Sequence, residues 1–203
     1  MDTSLITMPV TLKVGDIMSE DEFFRFCQMN DMLSFERDKN GNIIFMSPTG
    51  SFTGRFTLRI ANKFFNWLEN NDIPGEVFDS STGFTLPNGA VRSPDISWVP
   101  KEKWDALSCD EQEKFAPICP DFIIEVRSKS DDLKYLQDKM LEYMENGCQL
   151  GWLIDRFGEQ VFIYAPGKHV ETVNGLNVQL LGDPLFPGFA LDLSAIEKLN
   201  PDH

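Results

Sequence analysis

Histidine is nearly missing from this 203-residue chain, which holds only His169 and His203. That excludes zinc sites built on several histidines and most nucleophilic triads that use a histidine base. The four cysteines, Cys27, Cys109, Cys119 and Cys148, show no CxxC spacing. A chain of this size has no need of disulfides to fold, so they read as buried free thiols. No stretch reaches the ~18 apolar residues of a membrane span. Residues 1–19 also lack the basic start and unbroken apolar run of a secretory signal, and a cytoplasmic protein without a membrane partner is expected. Positive charge is scarce as well, with 18 Lys and Arg against 32 Asp and Glu, a net charge of −14. Because Lys and Arg supply most non-specific affinity for phosphate backbones, strong unaided binding to nucleic acid is not expected. Any metal chemistry here must rely on carboxylates, which suit the hard ions Mg²⁺ and Mn²⁺.

What remains is an ordinary globular composition, 42% hydrophobic and 25% charged, with 17 Phe and 4 Trp to fill a core. One mixed α/β domain over residues 1–203 is expected, with 1–18 as an N-terminal extension. Ser19 and Glu22 form a capping-box pattern ahead of a short helix ending near Asn30. Leu33 to Arg37 and Ile43 to Met46 read as a hairpin turning at Asn40-Gly41. Phe56, Ile60, Phe64 and Leu68 recur every four residues and predict a long helix over 54–70. Strands at 76–79, 84–86 and 95–99 suggest a β-meander, followed by a charged, weakly helical surface excursion over 101–115. Asp121 to Val126 fits a central strand. A helix capped by Ser130 or Asp131 then runs to about Asn146, and Gln149 to Asp155 returns as a strand. Turn signals divide the remainder into a β-rich tail.

Three features bear on chemistry. Asp95 follows Pro94 at a strand entry, where it reads equally as a turn residue. Glu125 stands in the apolar run Phe122-Ile123-Ile124-Glu125-Val126, and burying its carboxylate unpaired costs several kcal/mol, so it needs a cation. By strand alternation Arg127 falls on the same face and offers one structural partner. On the following helix Tyr135, Lys139 and Tyr143 fall at i, i+4 and i+8 beside the apolar stripe of Leu133, Leu136, Met140 and Met144. A lysine there can equally snorkel to solvent.

The runs Ser93-Pro94-Asp95-Ile96-Ser97-Trp98-Val99 and Phe122 to Ser130 are joined by Lys139-Met140-Leu141-Glu142-Tyr143, Gly147 and Gly151-Trp152-Leu153-Ile154-Asp155. Together they resemble the Uma-type restriction endonuclease family, over nearly the whole chain. The resemblance implies the PD-(D/E)XK nuclease fold, a restriction endonuclease-like core with an N-terminal hairpin and a β-rich C-terminal tail. It places Asp95 at the Asp of the PD motif and Glu125 at the acidic position of (D/E)XK. Arg127 stands where that motif has lysine, and the resemblance assigns the lysine role to Lys139. Glu36 matches a position where relatives often carry Glu. Lys129 stands where many relatives look to have proline, a departure that bears on loop shape.

The mechanism implied is metal-dependent hydrolysis of phosphodiester bonds, with DNA as the expected nucleic acid. Asp95, Glu125 and the Val126 carbonyl are the expected ligands of Mg²⁺ or Mn²⁺, and Lys139 orients water or stabilises developing charge. Arg127 is a poor general base, leaving it to clamp a phosphate or anchor Glu125. Glu36 is a further acidic ligand or a supporting group, Asp79 a weaker acidic candidate and Ser128 a nearby hydrogen-bond donor. Tyr143 reads as structural. A symmetric homodimer offers one route to a composite groove. Two other readings stand beside the nuclease: a non-catalytic member of the fold serving as an interaction module for nucleic acid or protein, and, more remotely, a two-carboxylate glycosidase.

Overall fold

The computed structural model describes residues 10–13 and 18–197. Residues 1–9 and 14–17 of the expected N-terminal extension lie outside these residues. In its described part, Val10–Leu12 forms strand β1, which pairs antiparallel with β3 (Ile43–Met46). Helix α1 (Glu20–Met29) starts on the expected capping box: Ser19 Oγ accepts from the Glu22 N–H, and the Glu22 carboxylate accepts from the Ser19 N–H at 2.8 Å. β2 (Ser34–Arg37) and β3 form the predicted hairpin, with Gly41 at φ 84° in the turn between them. Helix α2 (Ser51–Asn70) begins three residues earlier than its periodicity suggests, because Ser47-Pro48-Thr49-Gly50 ends the sheet and Gly50 serves as N-cap.

The expected β-meander is divided between two sheets. β4 (Gly75–Asp79) pairs with β7 (Ile96–Pro100), while the intervening β5 (Phe84–Thr85) and β6 (Val91–Arg92) make a hairpin that joins β2 through Arg37↔Val91. A two-residue strand carries too little period to show its partner in sequence. The excursion after β7 contains the short helices α3 (Lys101–Asp105) and α4 (Cys109–Gln112), the latter starting on an exposed cysteine. Of the four cysteines only Cys119 and Cys148 are buried, because Cys109 rides on this surface segment and Cys27 sits on a partly exposed helix face.

The chain then runs through β8 (Phe122–Val126), α5 (Leu133–Glu145) and β9 (Leu150–Asp155), a parallel strand pair with a helical crossover. Asp132, rather than Ser130 or Asp131, caps α5 by accepting the Tyr135 N–H at 2.8 Å. β10 (Gln160–Tyr164) and β11 (Glu171–Asn174) complete a six-stranded sheet in the order β11-β10-β9-β8-β7-β4. β1, β3, β2, β6 and β5 form a second sheet, and β12 (Gln179–Leu181) with β13 (Ala190–Asp192) a third, before helix α6 (Leu193–Glu197).

The six-stranded sheet carries a helix on each face. Ile96, Trp98, Phe122, Ile124, Trp152 and Ile154 pack against Phe56, Ile60, Phe64 and Leu68 of α2. The alternate residues Val99, Ile123 and Leu153 pack against Leu136, Met140 and Tyr143 of α5. By the same alternation Glu125 belongs to the α5 face.

Candidate active site

Strand register sets the carboxylates beside each other. β7 and β8 are antiparallel with Ile96 opposite Ile124, so Asp95, one residue before β7, comes level with Glu125. Asp95 Oδ2 accepts the Val126 backbone N–H at 2.8 Å. Helix periodicity then brings Lys139 inward from α5, only 3% exposed. Its Nζ lies 2.7 Å from Glu125 Oε1 and 2.8 Å from Glu36 Oε1, the latter carboxylate contributed by β2. The lysine is therefore a doubly paired buried cation, and the snorkelling alternative does not hold.

Glu36 is held further by Arg92 at 3.0 Å and by the Ser93 N–H at 2.9 Å, and Arg92 continues to Glu142 of α5 at 2.6 Å. Tyr143 completes the surroundings, its hydroxyl 3.3 Å from Glu125 Oε1. It donates to that carboxylate as well as packing in the core, which goes beyond the structural reading. Arg92 was not singled out by the sequence. Its one local signal is adjacency to the Ser-Pro-Asp run, because its partners come from β2 and α5.

Arg127 takes no part in holding Glu125. β8 ends at Val126, strand alternation stops governing direction there, and the guanidinium turns to Asp155 at 3.0 Å. Ser128 lies on the cleft wall, its N–H bonded to Asp131 Oδ2 at 2.8 Å and its hydroxyl 3.1 Å from that of Ser130. Asp79 is exposed and caps its own turn through the Ser81 N–H.

The cluster faces a cleft of about 660 Å³ whose walls include Asp95, Glu125, Val126, Ser128, Asp131 and Lys139. Charge is unbalanced here, since two cations, Lys139 and Arg92, serve four carboxylates, Glu36, Asp95, Glu125 and Glu142. Burial, opposed by Lys139 and reinforced by Asp95 and Glu36, pushes the Glu125 carboxyl up to about 8. Burial likewise raises Asp95 to about 6, against the Val126 hydrogen bond and Lys139. Lys139 is held protonated, well above its ordinary range, because Glu125 and Glu36 outweigh the cost of burying it. Glu36 goes the other way and is lowered, since Lys139 and Arg92 overcome its burial.

Such a surplus of carboxylate favours a further cation. Asp95 and Glu125 each use one oxygen within the protein, and among the described residues no hydrogen bond reaches the other. No set of three His, Cys, Asp or Glu side chains gathers as metal ligands among those residues. A pair of carboxylates on the wall of an open cleft nonetheless suits Mg²⁺, which keeps several waters and commonly uses only one or two protein carboxylates. The residues present fit such an ion.

The fold and this constellation together define a protein of restriction endonuclease-like architecture. A solved structure described as a "putative nuclease belonging to DUF820", from Anabaena variabilis ATCC 29413, superimposes with a TM-score of 0.71 at 20% identity. The match covers 89% of this chain and 98% of that one. The sequence model of the Uma2 family, described as "Putative restriction endonuclease", matches residues 20–194, and the chain belongs to that family. No curated protein matches it.

Proposed function

We propose that this protein is a metal-dependent endonuclease that hydrolyses phosphodiester bonds of DNA at the cluster of Asp95, Glu125 and Lys139. The observation that carries the reading is one buried lysine shared by two carboxylates, beside a third, on the wall of an open cleft. Family membership points the same way.

Asp95, Glu125 and the Val126 carbonyl would hold Mg²⁺ or Mn²⁺. Bound there, the ion would polarise a phosphate oxygen and lower the pKa of a water. Without it, each carboxylate ~4 Å from a phosphate repels it by ~4 kcal/mol at an effective dielectric near ~20. Lys139 acts as a fixed ammonium donor, because its two carboxylate partners keep it charged. It orients the attacking water or steadies charge on the phosphate, and is no general base. Glu36 aims Lys139, and Arg92 in turn fixes Glu36. Arg127, bound to Asp155, is a positioning residue for the β8–α5 loop.

A second reading, a nuclease fold that binds without cleaving, is favoured by the cleft itself. Among its charged wall residues Asp31, Asp95, Glu125 and Asp131 outnumber the single Lys139. One experiment decides: plasmid, single-stranded DNA and RNA are incubated with the protein in Mg²⁺, Mn²⁺ or EDTA, beside Asp95→Ala, Glu125→Ala and Lys139→Ala. Metal-dependent nicking of plasmid by the wild type, lost in all three variants, is expected. Equal behaviour of all four proteins on every substrate rejects catalysis at this site.

A further inference from the structure

In a chain carrying −14, one stretch lacks acid altogether: no Asp or Glu stands between Asp38 and Glu69. Within it α2 places Arg55, Arg59 and Lys63 at i, i+4 and i+8, one row along the helix. That row lies away from the buried Phe56, Ile60, Phe64 and Leu68; Arg55 and Lys63 are exposed and Arg59 partly so. Several of the protein's other lysines and arginines answer to a carboxylate, as in Lys103–Asp121, Lys114–Asp110, Lys134–Asp138 and Arg127–Asp155. Among the described residues no carboxylate pairs with Arg55, Arg59 or Lys63; Arg59 donates only to the Ile196 carbonyl, at 3.4 Å. The N-terminal end of α2 adjoins the cleft. Ser47, Pro48 and Thr49 line the cleft and run directly into α2. At that end the Phe52 ring carries Arg55 at 4.9 Å and Arg156 at 4.0 Å, and Arg156 follows Asp155, the partner of Arg127.

We propose that the α2 face bearing Arg55, Arg59 and Lys63 is the track on which the phosphate backbone of DNA lies as it enters the Asp95–Glu125 cleft. The inference rests on the nuclease reading above and supplies what the acidic cleft lacks, a sequence-independent hold on the substrate. From Arg55 to Lys63 the helix rises ~12 Å. A row of that length can meet successive phosphates of one strand with its three charges.

The test is fluorescence anisotropy with a short fluorescein-labelled DNA duplex over a range of NaCl concentrations. It is run in a Glu125→Gln background so that the probe survives. Replacing Arg55, Arg59 and Lys63 by Gln together should flatten the slope of log K against log salt by ~2.7, from ~0.9 per lost phosphate contact. The charge-retaining pair Arg55→Lys, Arg59→Lys should keep the original slope, which separates loss of charge from loss of fold. Lys101→Gln, at the opposite end of β7 from Asp95, should also leave it unchanged. An unchanged slope in the triple variant, or no duplex binding by the parent, overturns the track. So does a DNA-free protein whose sedimentation mass changes in the triple variant, since the face then joins copies of the chain. Plasmid nicking with intact Glu125 keeps the two claims apart. Nicking with an unchanged slope rejects the track alone, whereas a flattened slope without nicking in any metal rejects the nuclease alone.

Discussion

Glu125 shows how burial turns a side chain into a sensor of its surroundings. Its carboxyl has an ordinary value of 4.5 and stands at about 8 in the fold, raised by burial and by Asp95 and Glu36 against the pull of Lys139. An acid raised in the folded state binds its proton more tightly there than in the unfolded chain. Folding is favoured at the acid end and loses that advantage as pH climbs from about 4.5 to about 8. Asp95, raised to about 6, adds a slope of the same sign, and the lowered Glu36 opposes it. The Glu125→Gln variant removes the first contribution, while Lys139 keeps Glu36. Thermal melts in EDTA at pH 5 and pH 8 should therefore show the wild type losing more stability than Glu125→Gln over that interval. Parallel losses in the two proteins would mean that Glu125 is not raised.

The elements that bring these groups together were unequally visible in the amino-acid sequence. β8 and α5 declare themselves, one as an apolar run broken by a single acid, the other by an apolar stripe with Lys139 at its edge. That is why Glu125 and Lys139 stood out as candidates before any coordinates, while Asp95 and the roles of all three came from the family resemblance. Arg92 could not, because its partners Glu36 and Glu142 stand 56 and 50 residues away on other elements, and β6 is only two residues long. The direction of Arg127 was misjudged for a related reason: alternation was carried one residue past the end of its strand. The fit between β9 and α5 is also invisible in sequence, yet it sets the height of Lys139 above Glu125. A Cβ on Gly151 would stand 2.5 Å from Met140 Cε and 3.2 Å from Met144 Cε. Both methionine ends can turn, but Met140 is fully buried and its space is filled. Gly151→Ala should cost ~1–3 kcal/mol in denaturant titration. By lifting α5 it should also reduce nuclease activity at temperatures where the variant remains folded. Full activity with lowered stability would show that α5 repacks without moving Lys139.

At the scale of the whole molecule, a net charge of −14 and a cleft walled by carboxylates make the divalent cation the partner with most to gain from the folded state. An ion that binds only the native protein stabilises it by ~2.7 kcal/mol at a hundred times its Kd. For a chain of this length each kcal/mol moves Tm by ~2–4 °C. Mg²⁺ or Mn²⁺ should accordingly raise Tm by roughly 5–10 °C at that saturation. General screening of an acidic protein also stabilises it, so the comparison is made against NaCl at matched ionic strength. Asp95→Asn and Glu125→Gln should keep the NaCl response and lose the extra shift. The Arg55, Arg59 and Lys63 triple variant should keep both, because its charges lie on α2 outside the carboxylate pair. A divalent shift no larger than that of NaCl, or one that survives Glu125→Gln, would remove the metal from Asp95 and Glu125. The excess negative charge of the cleft would then need a cationic partner of another kind.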